Sequence, residues 1–389
     1  MPWHLPVTAL GLLLSAATNG ALGATAYPYT VTDLGTLAGP VSVAAHVNSQ
    51  GDVCGWGDND PVERYAHAFF WSPATPMINL GCFQGPIGVS TANGISDTGW
   101  VVGGSDSTDG QRAFLWAGPG ATMQDLGVNA ALGGTDNTAS GISPNGQLIV
   151  GAYLTATGTP HGYIWNNGAI TDTGIIKGLS VNDAGEFVGS YTTAGGQIHA
   201  FVSSGVGAGY TDLGTFGGTT SQAQAVNSSG QVVGFADLPS GDTHAFYYSG
   251  SGPLIDLGTL SGGLNSFAGS ISNSGVVAGT SYMPNDETEH GFLYNTATGG
   301  PMIDANTLID PACGWTIVAT AISDNGLIAA DGINAAGQAH AILLLPTPEP
   351  SALASLVAAV VCLLILAQFR RSRPVGGGFR GLFSVFPRF

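Results

Sequence analysis

The feature that most constrains the fold of this chain is an internal repeat that runs through almost all of it. An Asp-Leu-Gly-like segment recurs at intervals of 40 to 48 residues, with a reduced last copy. A fixed period of this length predicts a fold of stacked, similar units, because one unit alone cannot bury its apolar side chains. The segments begin at Asp33, Asn79, Asp125, Asp172, Asp212, Asp256 and Asp304.

Two further landmarks recur once in each unit. The first is a turn of the form Asn/Ser-x-x-Gly, and its closing residues are Gly51, Gly99, Gly146, Gly185, Gly230, Gly275 and Gly326. The second resembles His-Ala-Phe and begins at His67, Arg112, His161, His199, His244, His290 and His340. Glycine supplies 61 of the 389 residues, about twice the usual share of about 7%. Many tight turns would explain this excess.

Each unit is predicted to contain four short strands, and the fifth unit shows the pattern. Its strands are predicted at residues 223–226, 231–234, 244–248 and 253–257, with a hairpin turn at 227–230. Asn and Gly in that turn tolerate the positive φ that tight hairpins need. The repeated region has no long stretch with a 3.6-residue apolar period. The sequence therefore predicts an all-β fold.

Four-stranded units of this length fit the blades of a β-propeller, and seven units predict seven blades. The seventh unit lacks a fourth strand before Pro346, whereas a spare strand at residues 29–34 precedes the first unit. Adding the spare strand to the last blade would close the ring and remove two exposed sheet edges. An open β-solenoid is the alternative architecture.

The charge of the repeated region excludes nucleic acid as a partner. Only Arg64, Arg112 and Lys177 are basic before the C-terminal tail, against 24 acidic residues, which gives this region a net charge of −21. Such a surface repels polyanions. It would permit weak calcium binding, but no loop has the ligand spacing of an EF-hand. We therefore expect no cofactor and no defined metal site.

The N-terminus, residues 1–26, predicts a secretory signal peptide. Residues 9–17 are apolar, and Ala24 and Ala26 place small residues where a signal peptidase requires them. We expect cleavage after Ala26, with cleavage after Ala24 as the alternative. The mature repeat domain would then cover residues 27–345.

The C-terminal segment, residues 346–373, predicts a second signal. Pro348, Glu349 and Pro350 precede an apolar stretch at residues 351–369, which is long enough to span a bilayer as a helix. Arg370, Arg371 and Arg373 follow it and would hold that end in the cytoplasm. Residues 374–389 form a short tail. A plain single-pass anchor is the alternative interpretation.

This order of a Pro-Glu-Pro motif, an apolar helix and a basic cluster resembles the PEP-CTERM sorting signal of Gram-negative bacteria. The resemblance implies processing by an exosortase-type membrane protease. It also implies a location in the cell envelope or outside the cell, after transient anchoring in the membrane.

The repeats resemble the HAF family of probable extracellular repeats. The sequences at His67, His199 and His244 read His-Ala-Phe without change, whereas Arg112 replaces the histidine in the second unit. The resemblance covers residues 33–345 and implies an extracellular repeat domain. It implies no reaction.

The repeated histidines are predicted to be structural. Residues that occur once per blade lie on a ring and cannot converge on one metal ion, so a hydrogen-bond role inside each blade is the better interpretation. The repeated aspartates are interpreted in the same way, as local turn caps. The histidines in question are His67, His161, His199, His244, His290 and His340.

The sequence predicts an exported, surface-sorted, non-catalytic protein that binds exopolysaccharide or envelope proteins. The alternative is a secreted polysaccharide hydrolase or lyase, with the unrepeated acids Glu63, Glu186 and Glu289 as candidates. The least repeated loops lie between the second and third strands, at residues 57–63, 105–110 and 284–289. Equivalent loops of a propeller lie on one face, where binding usually occurs.

The cysteines give no framework. Cys362 lies in the C-terminal apolar stretch, and Cys54, Cys82 and Cys313 cannot all pair within one molecule. One disulfide between two of the three is an option in an oxidising compartment, and small buried apolar residues are the other.

Overall fold

The structure is a computed structural model that describes residues 27–174, 177–284 and 288–347. Their strands form seven antiparallel sheets of four strands each. Each sheet corresponds to one unit of the repeat, so the seven-bladed β-propeller is confirmed. The predicted signal peptide, the Pro-Glu-Pro motif, the apolar stretch and the arginine cluster lie outside the described residues.

The first three blades follow one another along the chain. Blade 1 consists of β2 (Ser42–Val47), β3 (Val53–Asp58), β4 (Ala66–Ser72) and β5 (Thr75–Gly81). Blade 2 consists of β6 (Ser90–Ile95), β7 (Val101–Ser107), β8 (Gly110–Trp116) and β9 (Gln124–Asp125). Blade 3 consists of β10 (Asn137–Ile142), β11 (Leu148–Leu154), β12 (Pro160–Asn166) and β13 (Ala169–Asp172).

Blades 4 to 6 repeat this order. Blade 4 consists of β14 (Lys177–Val181), β15 (Phe187–Thr192), β16 (Ile198–Ser203) and β17 (Tyr210–Gly214). Blade 5 consists of β18 (Ser221–Val226), β19 (Val232–Asp237), β20 (Thr243–Tyr248) and β21 (Ile255–Gly258). Blade 6 consists of β22 (Ser266–Ile271), β23 (Val276–Tyr282), β24 (Glu289–Asn295) and β25 (Ile303–Asp304).

Blade 7 is assembled from both ends of the described chain. It consists of β26 (Trp315–Ile322), β27 (Ile328–Asn334) and β28 (Ala339–Pro346), and its fourth strand is β1 (Tyr29–Asp33). The antiparallel register between β1 and β28 runs from Tyr29 opposite Pro346 to Asp33 opposite Ile342. The predicted ring closure by the N-terminal strand is therefore confirmed, and the open solenoid is wrong.

The apolar core lies between the blades. In the described residues, seven clusters of buried apolar side chains occur, and each cluster joins two adjacent blades. The cluster between blades 7 and 1 includes Ala341, Leu343 and Phe69. The ring is thus closed by packing as well as by strand pairing, and burial of apolar area is its main source of stability.

The first strands of the blades contact one another in succession around the ring, and β26 contacts β2. In blades 1 to 6 each first strand has a β-bulge at the same position, where one residue is left unpaired between two paired residues. A bulge increases the local twist and bends the strand. The shared bulge therefore gives the six strands a common curvature. The bulged residues are Ala45, Asn93, Ser140, Leu179, Gln224 and Gly269.

In the part of the chain that the structure describes, helical structure is confined to connections. A five-residue helix, α1 (Val128–Leu132), precedes β10, and two 3-10 helices, Ala305–Leu308 and Pro311–Cys313, precede β26. Asp304 caps the first 3-10 helix by accepting a hydrogen bond from the Asn306 N–H. Within the described residues, no helix is long and apolar enough to cross a membrane.

Candidate functional site

The repeated histidines and aspartates form pairs inside the sheets. In five blades the histidine at the second position of the third strand donates from Nδ1 to the aspartate of the fourth strand, at 2.8 to 3.0 Å. The fifth pair joins His340 to Asp33 and so links the two ends of the described chain. The pairs are His161–Asp172, His199–Asp212, His244–Asp256, His290–Asp304 and His340–Asp33.

Each aspartate also caps the turn that follows it. Asp212 Oδ1 accepts a hydrogen bond of 2.8 Å from the Gly214 N–H, and the other blades repeat this contact. Partial burial alone would raise the pKa of Asp212, but hydrogen bonds from His199 and the Gly214 N–H hold that pKa below its usual value. The carboxylate thus stays charged and joins two strands to a turn, which is a local structural task.

Blade 1 uses an amide where the other blades use a carboxylate. His67 Nδ1 lies 3.0 Å from Asn79 Oδ1, and its Nε2 lies 2.9 Å from Asn59 Nδ2. Asn59 also donates to the Pro86 carbonyl at 2.9 Å. His67 is buried, and through Asn59 it is linked to the connection that leads into blade 2.

A repeated serine has a role that the sequence analysis missed. Ser221 Oγ accepts a hydrogen bond of 2.8 Å from the Ala200 N–H and donates to the Gly214 carbonyl. It thereby joins the first strand of blade 5 to the third strand and the turn of blade 4. Ser42, Ser90 and Ser266 make the same two contacts in their blades. The only sequence signal was a serine seven to nine residues after the glycine of the Asp-Leu-Gly-like segment, and it occurs in these four cases.

The turns between first and second strands lie on one face of the ring, which we call the turn face. There the Nδ2 atoms of Asn48, Asn182 and Asn227 donate to a backbone carbonyl of the next blade. Asp97 and Asp324 help to line a cavity of about 110 Å³ on this face. Burial raises the pKa of Asp324, and the charges of Asp97 and Asp183 raise it further.

The opposite face, which we call the loop face, carries the loops between second and third strands. Two cavities open there between adjacent blades. One cavity, of about 210 Å³, lies between blades 2 and 3. It is lined by Gln111, Asp136, Tyr153, Leu154 and four neighbours. The other cavity, of about 360 Å³, lies between blades 6 and 7. It is lined by Glu289, Thr316, Ile333 and three neighbours.

These two cavities are equivalent in the repeat. Gln111 and Glu289 both immediately precede the residue that begins the His-Ala-Phe-like run. Leu154 and Ile333 lie at matching pairing positions, opposite Pro160 and Ala339. Within the described residues, the loop face therefore presents a similar mixed polar and apolar cleft, which we call the interblade cleft, between blades 2 and 3 and between blades 6 and 7.

The structure does not bring the candidate catalytic acids together. Glu63 lies in the β3–β4 loop of blade 1, and Glu289 begins β24 in blade 6, both on the loop face. Glu186 follows a turn of blade 4 on the other face, where its Oε2 accepts a hydrogen bond of 2.7 Å from Asn182. The three acids therefore cannot act on one bond.

The described residues contain no group of three or more His, Cys, Asp or Glu side chains arranged to hold a metal ion. Cys54 is buried, Cys82 is half-buried and Cys313 is exposed, and all three are free thiols. Burial raises the pKa of the Cys54 thiol to about 12, so Cys54 behaves as an apolar core residue. Of the three least repeated loops, at residues 57–63, 105–110 and 284–289, only residues 285–287 lie outside the described part.

Comparisons with known proteins show the fold alone. No protein-family model and no curated protein matches the sequence. The β-propeller domain of the Trilobed protease from Pyrococcus furiosus matches with a TM-score of 0.51 and 9% identity, over 78% of this chain and 95% of that one. That domain is described as having an open Velcro topology. Here, by contrast, β1 closes the last blade.

Two peptidase structures give similar matches. A puromycin-hydrolyzing peptidase of Mycobacterium tuberculosis has a TM-score of 0.51 and 12% identity, over 83% of this chain and 54% of that one. A structure from a study of two prolyl endopeptidases has a TM-score of 0.52 and 9% identity, over 83% of this chain and 51% of that one. This chain thus spans about half the length of these peptidases. At such identities the likeness extends to the propeller and not to any activity.

Proposed function

We propose that this protein is an exported, surface-sorted repeat protein of the HAF type that binds an envelope or extracellular-matrix component without catalysis. The observation that carries the proposal is the duplicated interblade cleft on the loop face. A cleft that recurs with the repeat suits a ligand that itself repeats, such as an exopolysaccharide. The histidine–aspartate pairs support a non-catalytic role, because their hydrogen bonds are used within the blades.

Binding is tested by retention of the purified repeat domain, residues 27–346, on the exopolysaccharide or envelope fraction of the producing cell. We expect retention, and we expect Ile333→Ser combined with Gln111→Ala to reduce it, because both clefts are altered. Ile255→Ser is the matched control, since Ile255 is 45% exposed and Ile333 39%, but Ile255 lines neither cleft. A domain that is not retained, or that depolymerises the polysaccharide, would contradict the proposal.

The location rests on the two terminal signals, and we propose that an exosortase-type protease processes the C-terminal one. Fractionation with an antibody against the repeat domain, together with the mass of the mature C-terminus, tests this part. We expect the domain in the envelope or the medium, with a C-terminus at or near Pro348. A full-length chain that stays in the membrane would favour the plain anchor instead.

A further inference from the structure

Blade 2 is the blade in which the repeated histidine is replaced. Arg112 stands where the other blades have histidine, and its Nη2 contacts Asp109 Oδ2 in the β7–β8 turn. Asp125 occupies the position of the paired aspartates, because it lies opposite Phe114 as Asp212 lies opposite Phe201. In blade 2 that carboxylate has no histidine to pair with and is exposed.

Two other departures from the repeat border the same place. The connection after β9 contains α1, and no other α-helix occurs in the described residues. The connection before β6 contributes the half-buried ring of Phe83. A cavity of about 290 Å³, which we call the blade-2 cavity, opens here. It is lined by Arg112, Asp109, Asp125 and residues of both connections. Its volume lies near the lower end of small-molecule sites, which is about 300 Å³.

The side chains of this cavity match the chemistry of a sugar ring. A guanidinium presents five N–H donors in a fixed plane, and a carboxylate is an acceptor only. Neighbouring hydroxyl groups of a pyranose can accept from Arg112 and donate to Asp125 at the same time. Phe83 offers an apolar surface for the C–H groups of the ring, and such aromatic contacts add to binding.

The charge of the cavity restricts the ligand further. Asp109 and Asp125 outweigh the single charge of Arg112, and the repeat domain as a whole has an excess of acidic residues. Acidic sugars would be repelled by this field. A neutral sugar, or one with an amino substituent, would not be.

We propose that the blade-2 cavity is a saccharide subsite that holds one neutral or amino-substituted pyranose with free neighbouring hydroxyls. The subsite rests on the proposed binding function and identifies its ligand class. It differs from the interblade clefts because it occurs once, at the blade where three departures from the repeat meet.

The test is a titration of the purified protein with methyl glycosides of glucose, galactose, mannose and N-acetylglucosamine, followed by calorimetry or ligand-observed NMR. Methyl glucuronide serves as the acidic comparison. We expect saturable binding of at least one of these four neutral sugars and none of the glucuronide. Absence of saturation with all four sugars, or preference for the glucuronide, would overturn the subsite.

Arg112→His is the informative variant, because it restores the residue of the repeat and allows Asp125 to pair as in blades 3 to 7. The variant should fold at least as well as the natural chain, yet bind the sugar about ten- to a hundredfold more weakly, since a charge-assisted hydrogen bond is lost. His199→Arg in blade 4 is the matched control and should not change sugar binding. Unchanged affinity of Arg112→His would refute the assignment.

Failure of the subsite can be separated from failure of the proposed function. If the natural domain is retained on the exopolysaccharide while no glycoside binds, the surface function stands and the subsite is wrong. If a glycoside binds but the domain is not retained, the subsite stands and the surface function is wrong.

Discussion

At the scale of single residues, the three positions of the His-Ala-Phe signature perform different tasks. In blade 4, His199 pairs with Asp212, the Ala200 N–H donates to Ser221 of the next blade, and Phe201 is fully buried between blades. Phe201 lies opposite Gly189 of strand β15. A Cβ added to Gly189 would lie 3.1 Å from the Phe201 ring and 1.9 Å from the Lys177 carbonyl oxygen. The signature therefore specifies a contact within the blade, a contact to the next blade and a core residue.

Asp331 is a residue whose environment favours its neutral form. It lies in β27, and its Oδ1 accepts a hydrogen bond of 2.8 Å from the Ala44 N–H of blade 1. Burial raises the pKa of Asp331 to about 7, the Ala44 N–H opposes this, and Glu289 adds to the rise. Because the folded-state pKa is above that of the unfolded chain, this group stabilises the fold below about pH 4. That contribution is lost as the pH rises to about 7.

We therefore expect Asp331→Asn to raise the melting temperature at pH 8 and to have little effect at pH 4. An amide keeps an acceptor for Ala44 but carries no charge. Between these pH values the difference in unfolding free energy should grow by up to about 1.4 kcal/mol per pH unit. Thermal unfolding of both proteins between pH 4 and pH 8 measures this difference in unfolding free energy. Glu63→Gln is the control for removing one charge, because Glu63 is exposed. Equal pH profiles for Asp331→Asn and the natural chain would contradict the expectation.

Residue-scale prediction from the sequence was uneven for a physical reason. The histidine and aspartate landmarks were visible because their neighbours repeat with them. The serine contact was hidden because serine is common here and its spacing from the landmark glycine varies from seven to nine residues. The burial of Asp331 could not be predicted either, since it depends on a strand of another blade almost 300 residues away.

At the scale of elements, β1 is the strand on which the ring depends. It pairs with β28 along its whole length, and Tyr29 lies in the cluster of apolar side chains between blades 6 and 7. Without β1, the backbone groups of β28 would form an exposed sheet edge, which favours pairing with other chains. The place of this strand follows from the number of strands in the first and last units and does not depend on its side chains.

Removal of residues 27–34 from the repeat domain should lower its melting temperature and cause self-association. Circular dichroism and sedimentation measure the two effects. A synthetic peptide of residues 27–35 should restore the melting temperature when added in excess, because binding to the folded state stabilises it by mass action. A peptide of the same composition in scrambled order should not. A truncated domain that stays monomeric with an unchanged melting temperature would show that β1 is dispensable.

Helix α1 was not predicted from the sequence. The helix α1 is only five residues long, and a single turn and a half cannot show a 3.6-residue period. It matters because it borders the blade-2 cavity. Connections between regular elements often carry functional residues, and short irregular ones such as this helix have no sequence period that would reveal them.

At the scale of the whole molecule, the repeat determined the fold because every unit meets the same kind of neighbour. The number of blades, the strand order and the ring closure all follow from one period and one spare strand. The sizes of the cavities do not follow from it, since equivalent positions of different units carry different side chains. Gln111 and Glu289 occupy equivalent positions, yet their clefts measure about 210 and 360 Å³.

Closure by β1 also sets a waiting time for folding. His340 and Asp33 are 307 residues apart, so β1 leaves the ribosome long before its partner strand is made. At synthesis rates of about 5–20 residues per second, that interval is roughly 15–60 s. The six other blades use no strand from either end of the domain, so each can form while the first strand is unpaired. The last blade is complete only when the oldest and the newest segments of the domain pair.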